Sequence, residues 1–226
     1  MQGEVYVEEP VAPPLAFSLG EALDAGVAAL KRDGLTLSVA QLLAALPGAA
    51  ASLGARFVLG RPHHLLSWAY LERMALLSAA SAVLGALFRG GLLRMSIDAA
   101  RGERPRLADL ARCVRFFPAM LLFEIAHLVV VVLSIPLLFV PYVLVWTRLA
   151  LAPLAVVERD EGVAAAARWS FRAARGEQLH LFGFLLATAV VAYLGVFACC
   201  VGVFPAEALA SVATAHVYLR LSGRTS

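Results

Sequence analysis

The chain has 226 residues, 61% of them hydrophobic and 15% charged, with a mean hydropathy of +0.81. Soluble domains are about 45–50% apolar and about 25% charged, so this composition argues against a water-soluble fold and for a bilayer as solvent. The formal charge of +3 is too small, and its positive groups too localised, to imply nucleic acid as a partner.

Residues 1–17, MQGEVYVEEPVAPPLAF, carry neither the basic start nor the apolar run of a signal peptide and read as a flexible tail. SLGEALDAGVAALKR, 18–32, reads as an amphipathic interfacial helix. No charge occurs from Gly34 to Ala55, which predicts a first span near 35–57. A kink is expected at Pro47, where a backbone donor is missing. The next apolar run, Met74–Phe88, reaches spanning length over 70–93 if Arg89 and Arg94 snorkel at one end and Trp68 and Tyr70 anchor the other. Between these spans, Arg61, His63 and His64 offer too few ligands for a metal site. Cys113, Cys199 and Cys200 have neither metal nor disulfide spacing and read as reduced packing residues. No metal or other cofactor is expected.

Two stretches of 42 residues follow, 116–157 and 178–219. A helix of that length would measure roughly 63 Å, twice a bilayer core of about 30 Å, so each must fold back. Pro136 and Pro141 interrupt the first and Gly202 and Pro205 the second. The expected spans lie near 116–135, 140–157, 178–201 and 205–221. Fifteen of the 19 basic residues then fall on one side, in 31–32, 89–115, 158–177 and the C-terminal tail. Inner loops are enriched in Arg and Lys, which places both termini in the cytosol. The expected fold class is all-α: a polytopic transmembrane helical bundle of about six spans, forming one domain over 18–226, with short amphipathic cytosolic helices.

The segment VVERDEGVAAAARWSFRAARG, 156–176, joins the two hairpins. Helical spacing puts Arg168, Arg172 and Arg175 on one face and Val163, Ala166, Ser170 and Ala174 on the other, with Trp169 and Phe171 flanking the basic stripe. Asp160 and Glu161 suit the positive end of such a helix, and Gly176 suits its close. The small face is expected to press on neighbouring helices over 161–175. The aromatics would sit at headgroup level and the arginines meet lipid phosphates or a partner. The plainer alternative is a connector whose arginines only fix topology.

The pattern of residues 148–176 resembles a segment of bacterial multi-helix membrane proteins, including the membrane domain of some glycerophosphodiester phosphodiesterases and related stand-alone proteins. The matching residues are Pro153, Glu158, Gly162, Ala166, Arg168, Ser170 and Gly176. Residues 18–32, followed by a span containing Pro47, resemble the lead-in helix of the same proteins. The resemblance implies a six-helix protein of the bacterial cytoplasmic membrane and no particular catalytic residues. The 226 residues leave no second domain for phosphodiesterase chemistry, so that activity is not expected.

Ionisable groups at bilayer depth are costly and mark candidate sites. Glu124 and His127 stand at i, i+3 in FEIAHLVVVVL, and Arg148 is expected at similar depth on the returning helix. Their pairing, Glu124 with Arg148 and His127 alongside, would either fix the hairpin's register or form a proton relay. No nucleophile triad, phosphate loop or metalloprotease motif is present in the sequence. The favoured expectation is therefore a non-enzymatic scaffold, assembly or lipid- or partner-binding component, with a homo-oligomer or another membrane protein as possible company. The alternative is a small transporter or channel built on Glu124, His127 and Arg148.

Overall fold

The computed structural model describes residues 17–59, 68–134, 140–197 and 202–223. Within them the chain is all-helical, without a strand: α1 Leu19–Leu59, α2 Trp68–Ala100, α3 Ala108–Arg112, a 3₁₀ turn Cys113–Phe116, α4 Phe117–Ser134, α5 Val140–Leu149, α6 Ala152–Arg159, α7 Val163–Ala173, α8 Gln178–Phe197 and α9 Val203–Ser222. Three helical stretches are long and apolar enough to cross a membrane: Ala79–Ala100, Ala108–Val131 and Gln178–Val196. The tail 1–16, the Arg61/His63/His64 loop, Pro136, Cys199 and Cys200 lie outside the described residues.

Helix α1 starts at Ser18, whose hydroxyl oxygen accepts the Glu21 backbone N–H at 3.1 Å, a serine cap on one of the orphan donors of a first turn. The expected lead-in helix and first span form this one element. Its non-helical residue is Asp33, at φ −132° and ψ 26°, whereas Pro47 lies inside the helix. The change of direction is held by Arg32. It pairs with Asp33 at 2.6 Å and donates to the carbonyls of Ala99 and Glu103, at 3.2 and 3.1 Å. Those carbonyls belong to the end of α2 and its following turn, where a cation is favoured.

The most buried long helix is α9, packed against α1, α2 and α8. It buries Ala208, Val212, Ala213, Ala215, Val217, Tyr218 and Leu219. Small side chains let backbones approach closely. A Cβ on Gly26 would lie 2.8 Å from the Leu209 carbonyl oxygen, so α1 meets α9 nearly backbone to backbone. Gly91 serves likewise inside α2, where a Cβ would stand 2.5 Å from the Cα of Leu110 in α3. Gly91 is thus a packing notch within a helix.

The periphery is the reverse. Leu122, Ile125, Leu128 and Val129 of α4 are exposed, as are Leu186, Val190, Leu194 and Val196 of α8, and Leu179 is 79% exposed. Contiguous apolar surface on this scale is rare on soluble monomers and suits helices that face hydrocarbon. The principal core cluster sits where α2, α4, α6, α7, α8 and α9 converge, around Met120, Leu151, Leu154, Phe184 and Tyr218.

Candidate functional site

Two polar assemblies lie on this framework, together with one exposed basic face. The first assembly centres on Glu158, the penultimate residue of α6. That helix buries Ala152, Leu154, Ala155, Val156 and Val157, which carries the Glu158 side chain to 2% exposure. One carboxylate oxygen pairs with the Arg101 guanidinium just beyond α2. The other accepts the Tyr218 hydroxyl of α9 at 2.5 Å. Arg159 reaches within 4.0 Å of the same oxygen and lies 4.6 Å above the Trp169 ring, which meets Tyr218 edge-on at 5.1 Å. Opposite charges in contact offset each other's desolvation, so the assembly clamps α2, α6, α7 and α9 together. The half-buried Trp169 ring packs on Arg159 and Tyr218. Its partners lie ten and 49 residues away in sequence, beyond the reach of helical periodicity.

The second assembly holds two of the three residues expected to form an intramembrane centre, Glu124 and His127, without Arg148. Glu124 forms an ion pair with Arg89 of α2. Arg148 is elsewhere: its Nε and Nη2 donate to the Gln178 side-chain oxygen at 3.1 and 2.8 Å, and its guanidinium carbon lies 5.9 Å from the Phe171 ring centre. The physical reason is a helix break. The expected span 140–157 is two helices, and α5 ends at Leu149, so Arg148 occupies a helix terminus. Conversely, α2 runs on to Ala100, past the expected boundary at 93, and this brings Arg89 to the level of Glu124. His127 stays close to this pair on α4 and is clasped by α5, with Trp146 4.3 Å and Tyr142 5.6 Å away, both edge-on. The His127 Nδ1 atom is buried and has no hydrogen-bond partner among the described residues.

A cavity of about 220 Å³ opens beside this centre, between the α4–α5 hairpin and α2 and α9. Arg89, His127, Trp146, Ser211 and Thr214 contribute to a wall that is otherwise apolar. Two of these polar groups have protein partners. Ser211 accepts from the Gln41 side-chain amide at 3.2 Å, and the Thr214 hydroxyl donates to the Ala210 carbonyl at 2.7 Å.

The exposed face belongs to α7. Of the expected small face, Ala166, Ser170 and Ala174 are buried and Val163 is half-buried against the core. The Ser170 hydroxyl donates to the Arg148 carbonyl at 2.5 Å, satisfying one of the orphan acceptors at the end of α5. Opposite them, Arg168, Arg172 and Arg175 are exposed and line a shallow depression with Ala167 and Phe171. Arg172 donates to the Arg168 carbonyl at 3.4 Å. Among the described residues none of these three guanidinium groups has a carboxylate within 4.0 Å.

No family model, curated protein or solved structure matches this chain. Its chemistry is therefore read from the residues alone. Among those described, no three His, Cys, Asp or Glu side chains gather closely enough to hold a metal ion.

Proposed function

We propose that the chain is a non-enzymatic integral component of a bacterial cytoplasmic membrane that crosses the bilayer six times, with both termini in the cytosol, and binds anionic lipid headgroups through α7. The observation that carries this reading is the arginine face itself: three exposed guanidinium groups without carboxylate partners among the described residues, on a helix whose other side is buried. Such a helix is held at a fixed height by its Ala166/Ser170/Ala174 side, and its cations remain available for bidentate contact with phosphate. Phe171 between them offers an apolar surface at the same level. Binding, rather than reaction, also suits the internal carboxylates, since buried Glu158 and half-buried Glu124 are both engaged by arginines.

The test uses the purified protein in nanodiscs of mixed phosphatidylglycerol and phosphatidylcholine, with the lipids retained on extraction measured by mass spectrometry. Each basic side chain near an anionic surface contributes about 1 kcal/mol. The Arg168→Gln/Arg172→Gln/Arg175→Gln variant should lose phosphatidylglycerol enrichment by at least about tenfold, as should wild type at high salt. Equal enrichment in wild type and variant would overturn the reading.

A further inference from the structure

We infer that the cavity beside Arg89 and His127 is a second, intramembrane binding site, and that its ligand is an uncharged single-chain amphiphile headed by a hydroxyl or carbonyl group. This goes beyond the headgroup contact proposed for α7 and shares no residue with it.

Size sets the first limit. At about 220 Å³ the space exceeds the roughly 150 Å³ cavity that holds a benzene ring and falls below the roughly 300–1,000 Å³ of pockets for drug-sized ligands. It accommodates a small head and the first part of one alkyl chain, with the remainder passing into the bilayer. The wall agrees, because it is apolar apart from a few groups.

Charge sets the second limit. Arg89 is the cation of the cavity and is already matched by Glu124. A carboxylate or phosphate entering here would leave one negative charge unmatched at low dielectric, a cost greater than its hydrogen bonds return. An uncharged head keeps the balance.

Hydrogen bonding sets the third. A guanidinium carries five N–H donors, and the Glu124 pair engages Arg89 through Nη1. The ring of His127 is gripped by Trp146 and Tyr142, yet its buried Nδ1 finds no partner among the described residues. Ser211 accepts from Gln41 and Thr214 donates to its own helix, so the Ser211 O–H and the Thr214 lone pairs keep capacity on the wall. A hydroxyl or carbonyl oxygen beside Arg89 and His127 meets groups with hydrogen-bonding capacity left, and its chain lies along Phe123, Val130, Val145 and Leu149.

The test is photolabelling of the detergent-purified full-length protein near neutral pH. Three probes are compared: a long-chain alcohol with a diazirine on its chain, the carboxylic acid of equal length and the alkane of equal length. The alcohol should label peptides of α4 and α5 and be displaced by unlabelled alcohol. The acid should label at least about tenfold less, and the alkane about three- to tenfold less, as loss of one or two hydrogen bonds requires. His127→Phe keeps the ring and should reduce alcohol labelling part of the way toward the alkane level, because Arg89 still donates. Ala210→Leu fills the space and should abolish labelling; if that variant does not accumulate, the probe comparison and displacement on wild type decide alone. Equal labelling by alkane and alcohol would mean an ordinary bilayer chain only. That result, stronger labelling by the acid, or label mapping elsewhere would overturn the site. The triple α7 arginine variant should label like wild type, so this test and that of the headgroup contact can fail separately.

Discussion

At the scale of single residues, Glu158 has the most demanding surroundings. A carboxylate at 2% exposure is tolerable only with its counter-charges in place, because removing one partner of a buried pair costs about 3–5 kcal/mol. Arg101→Met should therefore lower thermal stability in detergent sharply, and fluorescence-detected size-exclusion after heating would show it. Tyr218→Phe removes only a hydrogen bond to a charged group and should cost about 1.5–3 kcal/mol. If Arg101→Met melts like wild type, the pair does not hold the helices together. Little of this was legible beforehand. Glu158 could be seen as an acid near the end of an apolar run, but Arg101 is 57 positions before it and Tyr218 60 after. Local pattern reports which face a residue takes, whereas charge pairing across helices depends on where each helix stops. The same limit explains Glu124. Arg148 is a plausible partner only if α5 and α6 are one rod, and the break at Ala150 and Leu151 followed by Pro153 ends that assumption. Proline at a first helical turn is favourable, so Pro153 is better read as a helix start than as an interruption within a span.

Among the elements, α7 was the most legible, because its information is local. Alternation of small and basic side chains at helical spacing predicts the buried Ala166, Ser170 and Ala174 and the exposed Arg168, Arg172 and Arg175. Phe171 and Trp169 were harder, since both flank the stripe and only packing separates them. Ser170 does more than fill space. Its hydroxyl satisfies the Arg148 carbonyl, so Ser170→Ala leaves an acceptor unmet at about 1–3 kcal/mol, and Ser170→Leu adds overpacking against the core. Both should lower the melting temperature, Leu more than Ala, and the outcome Ala worse than Leu would contradict this account. The α1–α9 contact makes a parallel case. Gly26 was not singled out by any pattern, yet a Cβ there would press to 2.8 Å on backbone rather than on a yielding side chain. Gly26→Val should cost at least the 1–3 kcal/mol typical of overpacking and should separate α1 from α9, seen as increased proteolysis near Asp33. Native-like protease resistance in that variant would show that the close approach is not required.

Across the whole molecule, the apolar composition and the helical class were readable from the outset, but the count of crossings rests on different grounds for different helices. Ala79–Ala100, Ala108–Val131 and Gln178–Val196 have the length and hydropathy to cross by themselves. Helix α9 differs: it is rich in alanine, contains Glu207 and His216, and buries its flanks on α1, α2 and α8. A helix surrounded by protein needs less hydrophobicity than one facing lipid, because its neighbours supply the solvent. Its insertion should then depend on the rest of the bundle, and sidedness can reveal this. In the proposed topology a reporter fused after Ser226 is cytosolic in the full chain. With α1 deleted, α9 loses the partner that meets it at Gly26, and a substantial fraction of the same reporter should remain outside while α8 still crosses. The arginines at 159–175 hold the start of α8 on the cytosolic side in both fusions by the positive-inside bias, so the comparison isolates α9. A reporter that stays wholly cytosolic after deletion of α1 would show that α9 crosses on its own hydropathy. A reporter found outside in the full chain would remove the even number of crossings on which both the sidedness of α7 and its contact with inner-leaflet phosphates depend.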